Sequence, residues 1–411
     1  MSAARSAGKA LFPTALRGSV TLAPADGGHR SRRWHQALLL RGDPEALERG
    51  VLQEFKDAAL DRDQVVVHGA RRADAADTAA EGAVGAVVDA FEEVKKHPFD
   101  DAWHRSRSAD LSKVKTPLLT CANWGGQGIH PRGNFNGFTE TPADTPKWLE
   151  GHGDSHWSVF SNGYGVALQK RFFDYWLKGE QNGWDRQPRV QLNVRHPGEK
   201  FVLRHENEWP IARTQWTRLY LDAANNSLTT SAPAEAGAAF KALDSEGITF
   251  STPPLEKETE ITGPVAVKLF VSSSTSDADI FVILRVFRPD DSEVVFKGAV
   301  DPHTPVAHGW LRASHRKLDK ILSTAWRPYH SHDEIQPLVP GDVYELDIEV
   351  WPTSIVIRKG HKLRVDVQPR DGVGSAPYTH YHAEYNAGAT NTIYAGGDKP
   401  SYIMLPVIPA K

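Results

Sequence analysis

Lys115-Thr116-Pro117-Leu118-Leu119-Thr120-Cys121-Ala122-Asn123-Trp124-Gly125-Gly126-Gln127-Gly128 decides how this chain is read. Residues 116 to 124 form a near-continuous apolar run, the texture of a strand buried on both faces of a parallel sheet. The glycine-rich loop after it then lies at the carboxyl end of that strand, where open α/β sheets place their chemistry. A second short strand, Lys147 to Glu150, runs into Gly151-His152-Gly153-Asp154-Ser155-His156-Trp157. Further on, Leu168, Phe172 and Trp176 recur at helical spacing with Val166, Phe173 and Leu177 alongside, which predicts a helix with a wide apolar face against a sheet. Lys178-Gly179 adds a cation in the last turn and a stop.

Downstream, Glu180 to Pro188 is polar and carries glycine and proline breakers, so it is predicted to be a linker. Beyond it the hydrophobic period changes to two. Val190, Leu192 and Val194 alternate with polar residues, as do Tyr344, Leu346, Ile348 and Val350. Further strands are predicted at 216–222, 264–272, 280–288, 293–300, 362–368 and 401–407, punctuated by Pro253-Pro254, Pro340-Gly341 and Gly396-Gly397. Many short alternating strands with turn signals and little helix predict an antiparallel sandwich. The fold class is therefore α/β plus all-β, with residues 86–185 in the first part and 186–411 in the second.

Upstream, residues 1–85 contain Trp34, no tyrosine, and Arg/Ala/Asp clusters such as Arg71-Arg72-Ala73-Asp74. Such sequence buries little aromatic surface and is expected to be disordered or weakly helical. Asp43-Pro44-Glu45 nevertheless has the form of a helix start, predicting a helix near 44–60. Gln64 to Gly69 reads as a short strand.

The 411 residues are 40% hydrophobic and 24% charged, ordinary values for a globular chain with a large core. A net charge of -3 and a pI near 6.7 give no basic footprint for nucleic acid. No apolar run reaches the length of a membrane span. The single cysteine, Cys121, precludes an internal disulfide and lends secretion no support, so a cytoplasmic location is expected. Met1 to Pro24, with Arg5, Lys9 and Arg17 and no acid, resembles a mitochondrial presequence in composition, which is the second reading.

Several ordered blocks resemble the CocE/NonD family of serine hydrolases, relatives of X-Pro dipeptidyl-peptidases. They are Lys95 to Asp100, Pro117 to Trp124, Arg171 to Gly179, Glu208-Trp209-Pro210, Asp277 to Phe281, Gly309 to Arg316 and Pro340 to Tyr344, covering roughly three quarters of the chain. The resemblance implies the last strands and helix of an α/β-hydrolase domain, followed by a C-terminal jelly-roll β-sandwich. It also implies acyl-serine chemistry on small ester, amide or X-Pro peptide substrates, with no cofactor and no metal, and pairing into homo-oligomers. His156 matches the family's general base, last in the chain order Ser, Asp, His. The family's Trp-x-Asp carboxylate falls on Gly126, and no Gly-x-Ser-x-Gly turn occurs in the chain. Residues 1 to about 85 do not resemble the family's nucleophile-bearing part, so a fragmentary or misframed, inactive product is expected. The alternative is a non-catalytic jelly-roll module that binds a partner, with the hydrolase remnant as its buttress.

Other residues that invite a functional reading have plainer explanations. Ser155 lacks the small flanking residue that a strained nucleophile turn needs, because Trp157 stands there. Asp154 is the nearest carboxylate to His156 and a candidate substitute orienter. His380/His382 and His330/His332 have spacings seen at metal sites, but no third ligand is evident for either pair. Asp277/Asp279 lacks the glycine and terminal glutamate of a calcium loop.

Overall fold

The computed structural model describes residues 90–128, 130–298, 302–371 and 386–410. The expected helix near 44–60, the short strand at 64–69 and the pair His380/His382 lie outside these. Two short helices, α1 (Ala90–Lys96) and α2 (Ala102–Arg105), lead into β1 (Leu118–Asn123). From β1 the chain crosses through α3 (Pro131–Glu140) to β2 (Lys147–His152), which pairs with β1 in parallel register from Leu118↔Lys147 to Asn123↔His152. Proline at the first turn starts α3, and Phe135 and Phe138 fix its buried face. A parallel pair requires such a crossover, so the apolar run and the connection agree.

After β2 come α4 (His156–Ser161), α5 (Gly163–Lys178), β3 (Val190–His196) and β4 (Lys200–Glu206). The strand at 190–196, read as the opening of the antiparallel part, instead pairs in parallel with β2, and β4 closes the sheet antiparallel in the order β1-β2-β3-β4. A period of two shows that a strand is half-buried but cannot say which sheet it joins. The expected linker is also packed. Trp184, fully buried, stacks edge-on against Trp148 at 5.3 Å and Phe172 at 5.2 Å, and Gln187 O accepts from Trp148 Nε1. One indole outweighs the polarity of its neighbours.

The α5 helix begins with Asn162 accepting from Gly165 N and ends at Gly179, whose φ of 72° is the left-handed stop expected of Lys178-Gly179. Its apolar face is narrower than predicted. Leu168 and Phe172 are buried, whereas Val166, Phe173 and Leu177 are exposed.

The second part is a mixed, sheet-rich assembly of β5 (Gln215–Asp222), β6 (Ser227–Thr229), β7 (Ala236–Lys241), β8 (Ile248–Ser251), β9 (Thr259–Ser273), β10 (Asp279–Phe287), β11 (Ala307–Arg312), β12 (Tyr344–Ile357), β13 (Lys362–Gln368), β14 (Thr390–Ala395) and β15 (Tyr402–Ile408). Hydrogen bonding runs β12-β11-β10-β13-β8-β6-β5-β15-β9 and returns to β12, a closed circuit with β14 and β7 attached through β9. Closure leaves those strands without a free edge. The β6–β8 contact is parallel and the other pairings in the circuit are antiparallel. Alternating residues such as Leu346, Ile348, Val350, Leu363, Val365 and Val367 form the core. Of the strand predicted at 293–300, the described residues 293–298 carry only the isolated bridges Phe287↔Glu293 and Phe296↔Thr304.

The two sheets share buried residues. Trp124, Phe135, Leu192 and Trp209 pack in one cluster with Val356 of β12 and Ile408 of β15. Arg195 of β3 lies wholly inside, donating from Nε to Ser354 O at 2.8 Å and from one terminal nitrogen to Val306 O and Thr353 Oγ1, with its guanidinium over the Phe296 ring at 4.5 Å. Burial pulls this group down to about 9, so it stays charged at neutral pH.

Candidate functional site

The carboxyl ends of β1 and β2 lie side by side; two hydrogen bonds tie their loops and a third turns the β1 loop on itself. Trp124 N donates to His152 O at 2.8 Å, Asn123 Nδ2 to Asp154 O at 2.7 Å, and Gly126 N back to Asn123 O. Gln127 Nε2 donates to Trp124 O, and its Oε1 accepts from His308 N of β11 at 3.4 Å. Gly125 is required by close approach, since a Cβ there would stand 2.6 Å from Gly298 Cα and 2.7 Å from Lys297 O. A Cβ on Gly126, where the family's carboxylate is expected, would meet nothing closer than 3.4 Å.

Of the residues picked out from sequence, the structure brings Asp154, Ser155, His156 and Gly126 to these adjoining strand ends. His156 is the first residue of α4, immediately after the β2 loop. Ser155 is the helix cap. Its Oγ accepts from Ser158 N at 3.2 Å and donates to Ser158 Oγ at 3.1 Å, which is what a capping serine does. Asp154 adopts a left-handed φ of 59°, accepts from Ser155 N at 2.6 Å, and lies 3.5 Å from Lys297 Nζ. Its carboxylate is thus engaged with the loop backbone and with a cation from the β circuit.

A carboxylate–imidazole pair does exist here, one turn of sequence earlier. Glu150 Oε2 and His152 Nδ1 are 2.7 Å apart, and both side chains are almost entirely buried. Glu150 Oε1 also accepts from Tyr164 OH at 3.0 Å and Asn193 Nδ2 at 3.1 Å, and Gln191 donates to the same Tyr164 oxygen. Burial, and then the Glu150 charge, push the Tyr164 phenol well above its ordinary range, so it remains a donor. The same two causes raise the Cys121 thiol to about 12, leaving no thiolate to act as a nucleophile. Sequence reasoning missed this network. The available signal was a polar pair at i and i+2 on a strand buried on both faces, which must share one side and satisfy each other.

The candidates Asp277 and Asp279, and Asp333 next to the candidate His332, are held by structural contacts. Asp277 accepts from Ser314 N and Oγ, and Asp279 pairs with Arg312 at 2.8 Å. Asp333 pairs with Lys317 and Ser331. Among the described residues no three His, Cys, Asp or Glu side chains converge as metal ligands, and no helix is long and apolar enough to cross a membrane.

Residues 182–404 match the model of the X-Pro dipeptidyl-peptidase C-terminal non-catalytic domain. A cocaine esterase from Rhodococcus sp. is 25% identical over 77% of this chain and 61% of its own length. A putative serine esterase from Mycobacterium bovis is 28% identical over 58% of this chain and 40% of its own. The crystal structure of a CocE/NonD family hydrolase from Staphylococcus aureus superposes with a TM-score of 0.74 at 31% identity, covering 78% of this chain and 59% of that one. The chain thus spans from about two fifths to three fifths of the length of these relatives.

Proposed function

The chain belongs to the CocE/NonD family of serine hydrolases, and we propose that residues 115–178 form the base-bearing side of an acyl-hydrolase site in which His156 is the general base. The carrying observation is position: His156 opens the helix that follows β2, at the carboxyl edge of a parallel pair. That is where this sheet type presents catalytic groups. In acyl transfer the base takes the serine proton as Oγ attacks the carbonyl, then returns it to the leaving group, while a carboxylate holds the imidazole tautomer. The substrate class is small esters, amides or X-Pro peptides. The β circuit is read as the family's jelly roll.

These 411 residues supply the base position without its companions. Gly126 stands at the carboxylate position, and Ser155 and Ser158 are bonded to each other. Loss of a serine nucleophile alone costs on the order of a millionfold in turnover in a comparable enzyme. Turnover of short-chain nitrophenyl esters and X-Pro anilides is therefore expected at background, with wild type and His156→Ala alike. Turnover that disappears in His156→Ala would refute the silence and show that a nucleophile is present.

A second reading, a non-catalytic binding module buttressed by the hydrolase remnant, is favoured by one observation. Arg195 and the Trp124 cluster join the parallel sheet to β12 and β15 through buried contacts, as a structural support would.

A further inference from the structure

Away from that site, three histidines meet where the Phe99–Asp100 segment lies on the β circuit. His315 Nδ1 and His332 Nδ1 are 3.1 Å apart, with ring centroids at 5.3 Å, and the buried His330 ring lies 5.8 Å from His332. Phe99 stacks on His315 at 6.2 Å, and Asp100 N donates to His332 O at 2.8 Å. His332 holds a left-handed φ of 46° while doing so. We propose that His315 and His332 form a proton-sensitive clasp that fastens the Phe99–Asp100 segment to the β circuit and releases it on acidification.

The chemistry of the contact carries this. A nitrogen-to-nitrogen hydrogen bond needs one N–H and one lone pair, so the pair is satisfied when neutral and still satisfied with one added proton. A second proton leaves two N–H groups facing each other and two like charges in contact. The charged groups around the pair are His330, Arg132 and Arg312 on the cationic side, and Asp100, Asp333, Asp277 and Asp279 on the anionic side. The acids are committed elsewhere: Asp333 to Lys317, Asp279 to Arg312, Asp277 to Ser314, with Asp100 3.7 Å from Arg105. Loss of water at the ring contacts, then the neighbouring imidazole and Arg132, lower His332, which is otherwise exposed; burial and then His332 lower the buried His330 to about 4; desolvation and then Arg312 lower His315. These are bases depressed on folding. Their contribution is complete above the ordinary histidine value of about 6.5 and is lost as pH falls towards about 4.

Backbone hydrogen exchange of the full chain, corrected for intrinsic rates, reads the clasp directly, because the Asp100 amide is one of its bonds. Between pH 7 and pH 4.5, protection of the peptide containing Asp100 should fall at least about tenfold more than that of β10, since up to two protons drive release. In a His315→Gln, His332→Asn double variant, where asparagine suits the left-handed backbone, the excess loss should vanish. His315→Gln alone, which removes the imidazole contact but leaves His332 in place, should reduce the excess loss without abolishing it. No excess loss in wild type, or an equal loss in either variant, would overturn the clasp.

Discussion

Glu150 accepts hydrogen bonds from His152, Tyr164 and Asn193 in a place closed to water. Removing the carboxylate withdraws a shared buried acceptor from three donors, of which Asn193 keeps Gly151 O, so Glu150→Ala should cost about 3–5 kcal/mol and Glu150→Gln less, because the amide still accepts. Denaturant unfolding measures both, and a loss below about 1 kcal/mol for the alanine variant would show the network to be dispensable. Two adjacent glycines give a second contrast at this scale. A methyl group on Gly125 meets backbone atoms of Lys297 and Gly298, while one on Gly126 meets open or ordinary contact. Gly125→Ala is expected to destabilise by about 1–3 kcal/mol and Gly126→Ala by about 0.5 kcal/mol or less. Equal effects would mean that the β1 loop and the 297–298 segment are not in contact in solution.

Among the elements, the segment between α5 and β3 is anchored by Trp184. Trp184→Ala should cost about 3–5 kcal/mol, the range for emptying an aromatic site in a core, whereas a true linker would show almost none. A thermal melt distinguishes the two. The same segment shows where sequence reading reaches its limit. Strands at 216–222, 280–288, 362–368 and 401–407 and the α5 stop at Gly179 were legible, because period and capping are local properties. Sheet membership of 190–196 and the burial of Trp184 depend on partners in other elements, for which local polarity carries no signal, whereas the Glu150–His152 pair was signalled locally, at i and i+2 on a buried strand. The proposed base role of His156 rests on the family blocks around it, with no local signal of its own.

At the scale of the whole molecule, closure of the β circuit contrasts with the open end of the parallel sheet, where β1 is the edge strand among the described residues. Phe160, Val166, Phe173 and Leu177 are exposed on the helices of the same layer. An open edge among the described strands and exposed apolar side chains both favour association. The purified chain is expected to self-associate by light scattering, and Phe173→Ser with Leu177→Ser to shift it towards monomer. A wild-type monomer at high concentration would contradict this.

The central claim is that this family member carries the base side of a hydrolase site without a serine that the base can activate. A fluorophosphonate probe labels only an activated serine, so incubation of the full chain followed by intact-mass analysis tests it most directly. The expected result is an unmodified mass at probe concentrations that label a serine esterase control fully. Stoichiometric labelling that is abolished in His156→Ala would contradict the claim.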